Sequence, residues 1–137
     1  MALNLVPTSD PRTPKARLAG DGYAVVLASG PDDGGKRATF ALAAACTAQA
    51  IDFDTIVFLL GDGAHWACEG SADAVHAPGF PALAALMDTF VEGGGHLLLC
   101  SACDAMCTPP RARRRDVRVR GLATLLAHTV GGSTVTF

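Results

Sequence analysis

The chain has 137 residues, half of them hydrophobic, with 11 basic against 13 acidic side chains. That is one domain's worth of sequence, long enough to bury a core. Charge this even excludes a protein built around nucleic acid, and no apolar run approaches the roughly 18–20 residues that cross a bilayer.

Residues 1–22 carry three prolines, scattered charge and no periodicity, and are expected to form a tail ahead of an α/β domain over 23–137. They also lack the continuous apolar segment of a secretory leader, so a cytoplasmic protein is expected. "YAVVLA" (23–28) is a short apolar run before a Gly/Asp loop and predicts a buried strand. "KRATFALAAACTAQA" (36–50) is rich in helix formers and free of breakers, and predicts a helix. "DTIVFLL" (54–60) predicts a second buried strand.

Residues 61–79 read as a loop with one helical turn, longer than ordinary connections and therefore a candidate functional segment. "FPALAALMDTFVEGG" (80–94) begins with a proline near its first turn and ends in glycines, as a helix does. "HLLLC" (96–100) is a third strand, 101–107 one or two helical turns, and "DVRVR" (116–120) a fourth strand. "GLATLLAHTV" (121–130) and "STVTF" (133–137) supply a last helix and strand. This alternation predicts a single α/β domain: a mostly parallel five-stranded sheet with helices on both faces, in flavodoxin-like layering.

Two stretches carry chemistry. In "GPDDGGKR" (30–37) the spacing of Gly30, Gly35 and Lys36 fits a Walker A loop, but Arg37 stands where Ser or Thr would ligate magnesium. Asp32 and Asp33 also put negative charge where phosphates would lie. A tight strand-to-helix turn, capped by one of these aspartates, is the better reading.

The second stretch is "LLLCSACDAMCTPPRARRR". Cys100 sits where a strand ends, with Cys103 and Cys107 following at helical spacing that would put three sulfurs near one face. A thiol at a helix N-terminus gains from free N–H groups, and arginines folding back from 111–115 would add positive potential; both favour thiolate. Five cysteines in a cytoplasmic protein are expected to be mostly reduced. A persulfide carrier, a dithiol redox protein using Cys100–Cys103, and a metal site completed by Cys68 or a histidine all remain open. Cys46, in mid-helix among alanines, reads as a packing residue.

The first strand with its Gly-Pro-Asp-Asp turn and Ala-rich helix, "GGGHLLLCSAC", and the "VRVRGLATLLAH" and "STVTF" ending resemble the DsrE/DsrF-like family of sulfur-relay proteins, TusD-type sulfurtransferase subunits among them. The resemblance implies a persulfide-bearing cysteine at the end of the third strand, here Cys100; Cys103, its C-x-x-C neighbour, is expected as a second thiol that attacks the loaded sulfur. It also implies sulfur donor and acceptor proteins as partners and a homo-oligomer, a trimer or hexamer. No cofactor is implied. Cys103, Cys107 and the arginine run are not general family features. The contrasting expectation is a non-enzymatic oligomeric binding or regulatory domain.

In a sheet of strand order 2-1-3 the loops after strands 1 and 3 are neighbours at a switch point. Gly30, Asp32, Gly34, Gly35 and Lys36 are then expected to wall the cysteine pocket and to offer N–H groups to a small anion or persulfide. His65, Trp66 and Cys68, after strand 2, are a candidate lid or subunit contact, and His65 is also a candidate proton shuttle.

Overall fold

A computed structural model describes residues 22–107 and 111–137; the expected tail therefore lies outside the described residues except for Gly22. Five strands form one parallel sheet: β1 (Gly22–Leu27), β2 (Asp54–Leu59), β3 (His96–Cys100), β4 (Val117–Arg120) and β5 (Ser133–Thr136). Three α-helices connect them: α1 (Lys36–Ala50), α2 (Leu83–Glu92) and α3 (Leu122–Thr129). Short 3-10 helices occupy Gly61–Ala67 and Ser101–Met106. The elements follow the chain order and type expected from periodicity, and α1 and β3 coincide with their predicted spans.

Side-chain alternation divides the core. Val25, Leu27, Val57, Leu59, Leu97 and Leu99 face α1 and α2, which also pack on one another. Ala24, Ile56, Phe58, Leu98 and Cys100 face the other way, where Leu125 of α3 packs on them. Helices therefore cover both faces. Fully burying Phe58, Trp66 and Phe90 supplies about 2–3 kcal/mol each of apolar stabilisation. The α3 side is thinly covered: α3 has no buried residue, and Leu122, Leu126 and Val130 are 56%, 65% and 78% exposed at one-turn spacing. Among the described residues no helix is long and apolar enough to cross a membrane.

The strand order is β4-β3-β2-β1-β5, not the 2-1-3 arrangement expected. β2 lies between β1 and β3, so Gly30 and Cys100 do not follow adjacent strands. Each right-handed crossover from β1 through β3 steps one strand in the same direction, keeping α1 and α2 on one face. Only the connection through α3 runs back across the sheet, to β5 on the far side of β1. The step from β3 to β4 continues in the same direction, pairing Cys100 in register with Arg120, and the chain reverses only after β4.

Candidate functional site

All five strands point their carboxyl ends to one edge, and the loops there carry the chemistry. The Walker-like loop is resolved first. Gly34 and Gly35 adopt left-handed backbone conformations, φ 76° and 83°, which turn the chain sharply into α1. A Cβ on Gly35 would also strike the Val75 side chain. This geometry brings the Asp33 carboxylate over the start of α1, where it accepts from the backbone N–H groups of Gly35 (2.9 Å), Lys36 (3.1 Å) and Arg37 (2.9 Å). Desolvation pushes the Asp33 pKa up, but these three donors and the Arg37 charge outweigh it and hold the carboxyl below its ordinary value. The donors that would receive a phosphate are held by the protein's own carboxylate. The capping reading is correct, and Gly35, Lys36 and Arg37 have no such N–H to offer an external anion.

Gly63 sets the next wall. Its Cβ, were there one, would collide with the carbonyl oxygen of Leu27, so only glycine lets the loop after β2 lie this close to the end of β1. Leu60 N–H donates to the Leu27 carbonyl at 3.2 Å, and the Trp66 indole N–H donates to the Ser29 carbonyl at 2.8 Å. Trp66 is 1% exposed; it belongs to the core and is neither lid nor subunit contact.

Between these loops lies a cleft of about 320 Å³ lined by Gly30, Asp32, Asp33, Arg37 and Asp62. A smaller cleft of about 190 Å³ adjoins it, lined by Gly30, Asp32, Asp62, His65 and Met106. Gly30, Asp32 and His65 are thus brought together, but neither of these clefts is lined by a cysteine, and Gly34, Gly35 and Lys36 line neither. The lining is acidic, which opposes an anionic occupant. His65 stacks edge-on against Trp66, and its pKa is lowered by desolvation and by the nearby Arg111 charge.

The cysteines differ most from expectation. Cys100, the last residue of β3, is only 6% exposed and sits among Ala24, Ile56, Phe58 and Leu98 on the α3 side of the sheet. Cys103 is half-buried, and its Sγ accepts the backbone N–H of Gly61 at 3.3 Å. Cys107 is not free: it is bonded to Cys68, with Cα atoms 5.3 Å apart. The reason is the helix type. Residues 101–106 wind as a 3-10 helix, and Cys107, just past its end, is extended, so the α-helical spacing that would put three sulfurs on one face does not apply.

Cys107 therefore meets the loop after β2 instead of joining a three-sulfur face. The expectation of mostly reduced cysteines is overturned for this pair, and a Cys100/Cys103/Cys107/Cys68 metal site loses two of its ligands. No group of three or more His, Cys, Asp or Glu among the described residues is placed to hold a metal. Cys46 donates to the Leu86 carbonyl at 3.4 Å, and burial raises its pKa, as suits a packing thiol.

The arginines do not fold back over Cys100 as a group. Arg113 pairs with Asp104 at 2.9 Å; Arg114 reaches Asp116 at 2.8 Å and Asp88 at 3.1 Å. The Arg114 hydrogen bond lowers the Asp116 pKa despite partial desolvation. The 67–69 segment is sewn to 112–114 by backbone bonds from Glu69 N–H to Ala112 and from Arg114 N–H to Ala67. Sequence reasoning missed Gly61: its left-handed φ of 56° and its N–H donated to Cys103 had no signal beyond a glycine after a strand.

The DsrE/DsrF-like family model matches residues 21–126, most of the chain, including the loops that follow β1, β2 and β3. The chain belongs to the DsrE/DsrF-like family. The crystal structure of the YchN protein from E. coli is similar in fold, with a TM-score of 0.64 at 18% identity, covering 85% of this chain and 98% of that one. No curated protein matches the chain. As a DsrE/DsrF-like protein the chain falls in a group generally concerned with sulfur relay.

Proposed function

We propose that this DsrE/DsrF-like chain is a carrier of sulfane sulfur, a persulfide-relay sulfurtransferase, and that Cys103 is its accepting thiol. The observation that carries the choice of residue is the Gly61 N–H directed at Cys103 Sγ on a half-buried side chain, against a Cys100 that is almost wholly covered. The Gly61 N–H holds the sulfur in place on a side chain that solvent still reaches, and sulfur transfer needs an accessible sulfur. The Cys103 thiolate attacks the outer sulfur of a donor persulfide; the donor departs as thiolate, and Cys103 is left as a persulfide carrying that sulfur and its proton. Attack by an acceptor thiolate on the same outer sulfur reverses the step. Cys100 holds the family's persulfide position but is almost wholly covered, and in this reading it serves as the second thiol.

The reading includes a cytoplasmic protein served by sulfur donor and acceptor proteins. Self-association into a trimer or a multiple of it is supported by the exposed stripe of Leu122 and Leu126 on α3 and Val130 just past its end.

The test is to treat the protein with inorganic polysulfide and map adducts by mass spectrometry. A gain of about 32 Da, one sulfur atom, is expected on Cys103. It should disappear in Cys103→Ser and persist in Cys100→Ser. An adduct on Cys100 that survives Cys103→Ser would restore Cys100 as the carrier; no adduct on either would leave an oligomeric binding domain.

A further inference from the structure

The Cys68–Cys107 bond has no part in the sulfur-transfer step, yet it joins the two segments that hold Cys103. Cys68 ends the 3-10 helix Gly61–Ala67, and Cys107 ends the 3-10 helix Ser101–Met106. The two halves of the bond are anchored very differently. Cys68 is 2% exposed, and its neighbours are tied to 112–114 by backbone hydrogen bonds independent of the disulfide. The Ser101–Met106 helix has no buried residue. Among the described residues, besides the disulfide and the packing of Cys103 against the core, its side-chain hydrogen bonds and ion pairs to other segments are the Gly61 N–H to Cys103 contact and the Asp104–Arg113 ion pair, both partners of which are over 40% exposed. An exposed ion pair contributes little, about 0–1 kcal/mol. Opening the bond therefore leaves the Cys68 side in place and releases the segment that bears Cys103.

We infer that Cys68–Cys107 is a reversible redox site, opened and closed by small thiols and disulfides, whose state sets access to Cys103. Cys107 is half-buried and Cys68 covered, so an incoming thiolate attacks the Cys107 sulfur. The Cys68 sulfur leaves as thiolate and takes up the proton that the attacking thiol released. A second small thiolate attacks the small-molecule sulfur of the mixed disulfide, freeing Cys107. In sum, two small thiols become one small disulfide, and one protein disulfide becomes two thiols. The same steps in reverse, with a small disulfide as oxidant, close the bond. The consequence for Cys103 rests on the sulfur-carrier reading; the redox site itself does not.

The experiment equilibrates the full-length, natively folded chain across a series of reduced-to-oxidised glutathione ratios, quenches with acid, alkylates and maps the labelled cysteines. Cys68 and Cys107 are expected to become labelled together as the ratio rises. The native alkylation rate of Cys103 is expected to rise by about threefold or more on reduction, as segment opening predicts. Cys107→Ser should show the faster rate without reductant; the wild-type titration carries the test if that variant does not fold. A bond that yields to excess glutathione only after denaturation would overturn the proposal, as would a Cys103 rate equal in both states. Cycling of the pair in a protein that never loads sulfur would sink the carrier reading alone. Sulfur loading on Cys103 with an inert Cys68–Cys107 bond would sink this one alone.

Discussion

Replacing Asp33 isolates the interaction that turns a Walker-like spacing into a closed helix cap. Its carboxylate serves three backbone donors at 2.9–3.1 Å. Loss of one helix-capping side chain ordinarily costs about 1 kcal/mol and up to about 2. Two of the three donors, on Lys36 and Arg37, are exposed and can turn to water, which keeps the loss within that range. The third belongs to buried Gly35, beneath Val75 and Trp66, where replacement by water is hindered. Asp33→Ala should therefore fall at the upper end, about 2 kcal/mol. Asp33→Asn keeps one acceptor oxygen but loses the charge facing the helix N-terminus, and should cost about half as much.

Acid supplies a second, independent reading of the same contact. The folded-state pKa of Asp33 is lowered: desolvation raises it, but the backbone donors and Arg37 prevail. A depressed folded pKa contributes stability that is fully present above the unfolded value and is lost as pH falls through the folded one. Urea unfolding should thus show the full gap between wild type and Asp33→Asn at pH 7. The gap should narrow below the ordinary aspartate value of 3.8. An Asp33→Ala protein within about 0.3 kcal/mol of wild type at pH 7, or a gap that widens on acidification, would refute the cap as an energetic feature.

Two further outcomes follow from the disulfide and from α3. The bond encloses a separation of 39 residues, for which chain entropy sets a contribution of about 4 kcal/mol; a reductant should lower the urea midpoint accordingly, and an unchanged midpoint with all five thiols titrating would contradict it. Leu126→Asp, placed in the exposed α3 stripe, should convert a self-associated protein to monomer in light scattering without loss of helicity, and a wild type already monomeric at micromolar concentration would remove the basis for self-association.

Periodicity made the elements legible because each strand buried on both faces reads as a short apolar run, and because the alanines of α1 allow no other structure. Their order in the sheet was not legible. An alternation of strands and helices satisfies the right-handed crossover rule whether the second strand lies outside the first or between the first and third. The choice depends on which direction each crossover steps, and that is settled by packing: α1 and α2 share one face, leaving α3 alone on the other. With β2 in the middle, the loop after β2, not the Walker-like loop, becomes the partner of the cysteine segment.

The cysteines show the same limit at closer range. Spacing of three and four residues suggests one face only if the helix turns every 3.6 residues, and a segment of six residues ahead of paired prolines gives too little pattern to distinguish α from 3-10. Cys107, extended just past the 3-10 turn, is bonded instead to Cys68, a residue 39 positions earlier that no local pattern could nominate. The consequence is functional as well as geometric. A single α-helical face would have gathered four ligands or three competing thiols. Instead two sulfurs hold the segment, Cys100 is covered, and Cys103 is left half-buried, with its sulfur against the Gly61 N–H.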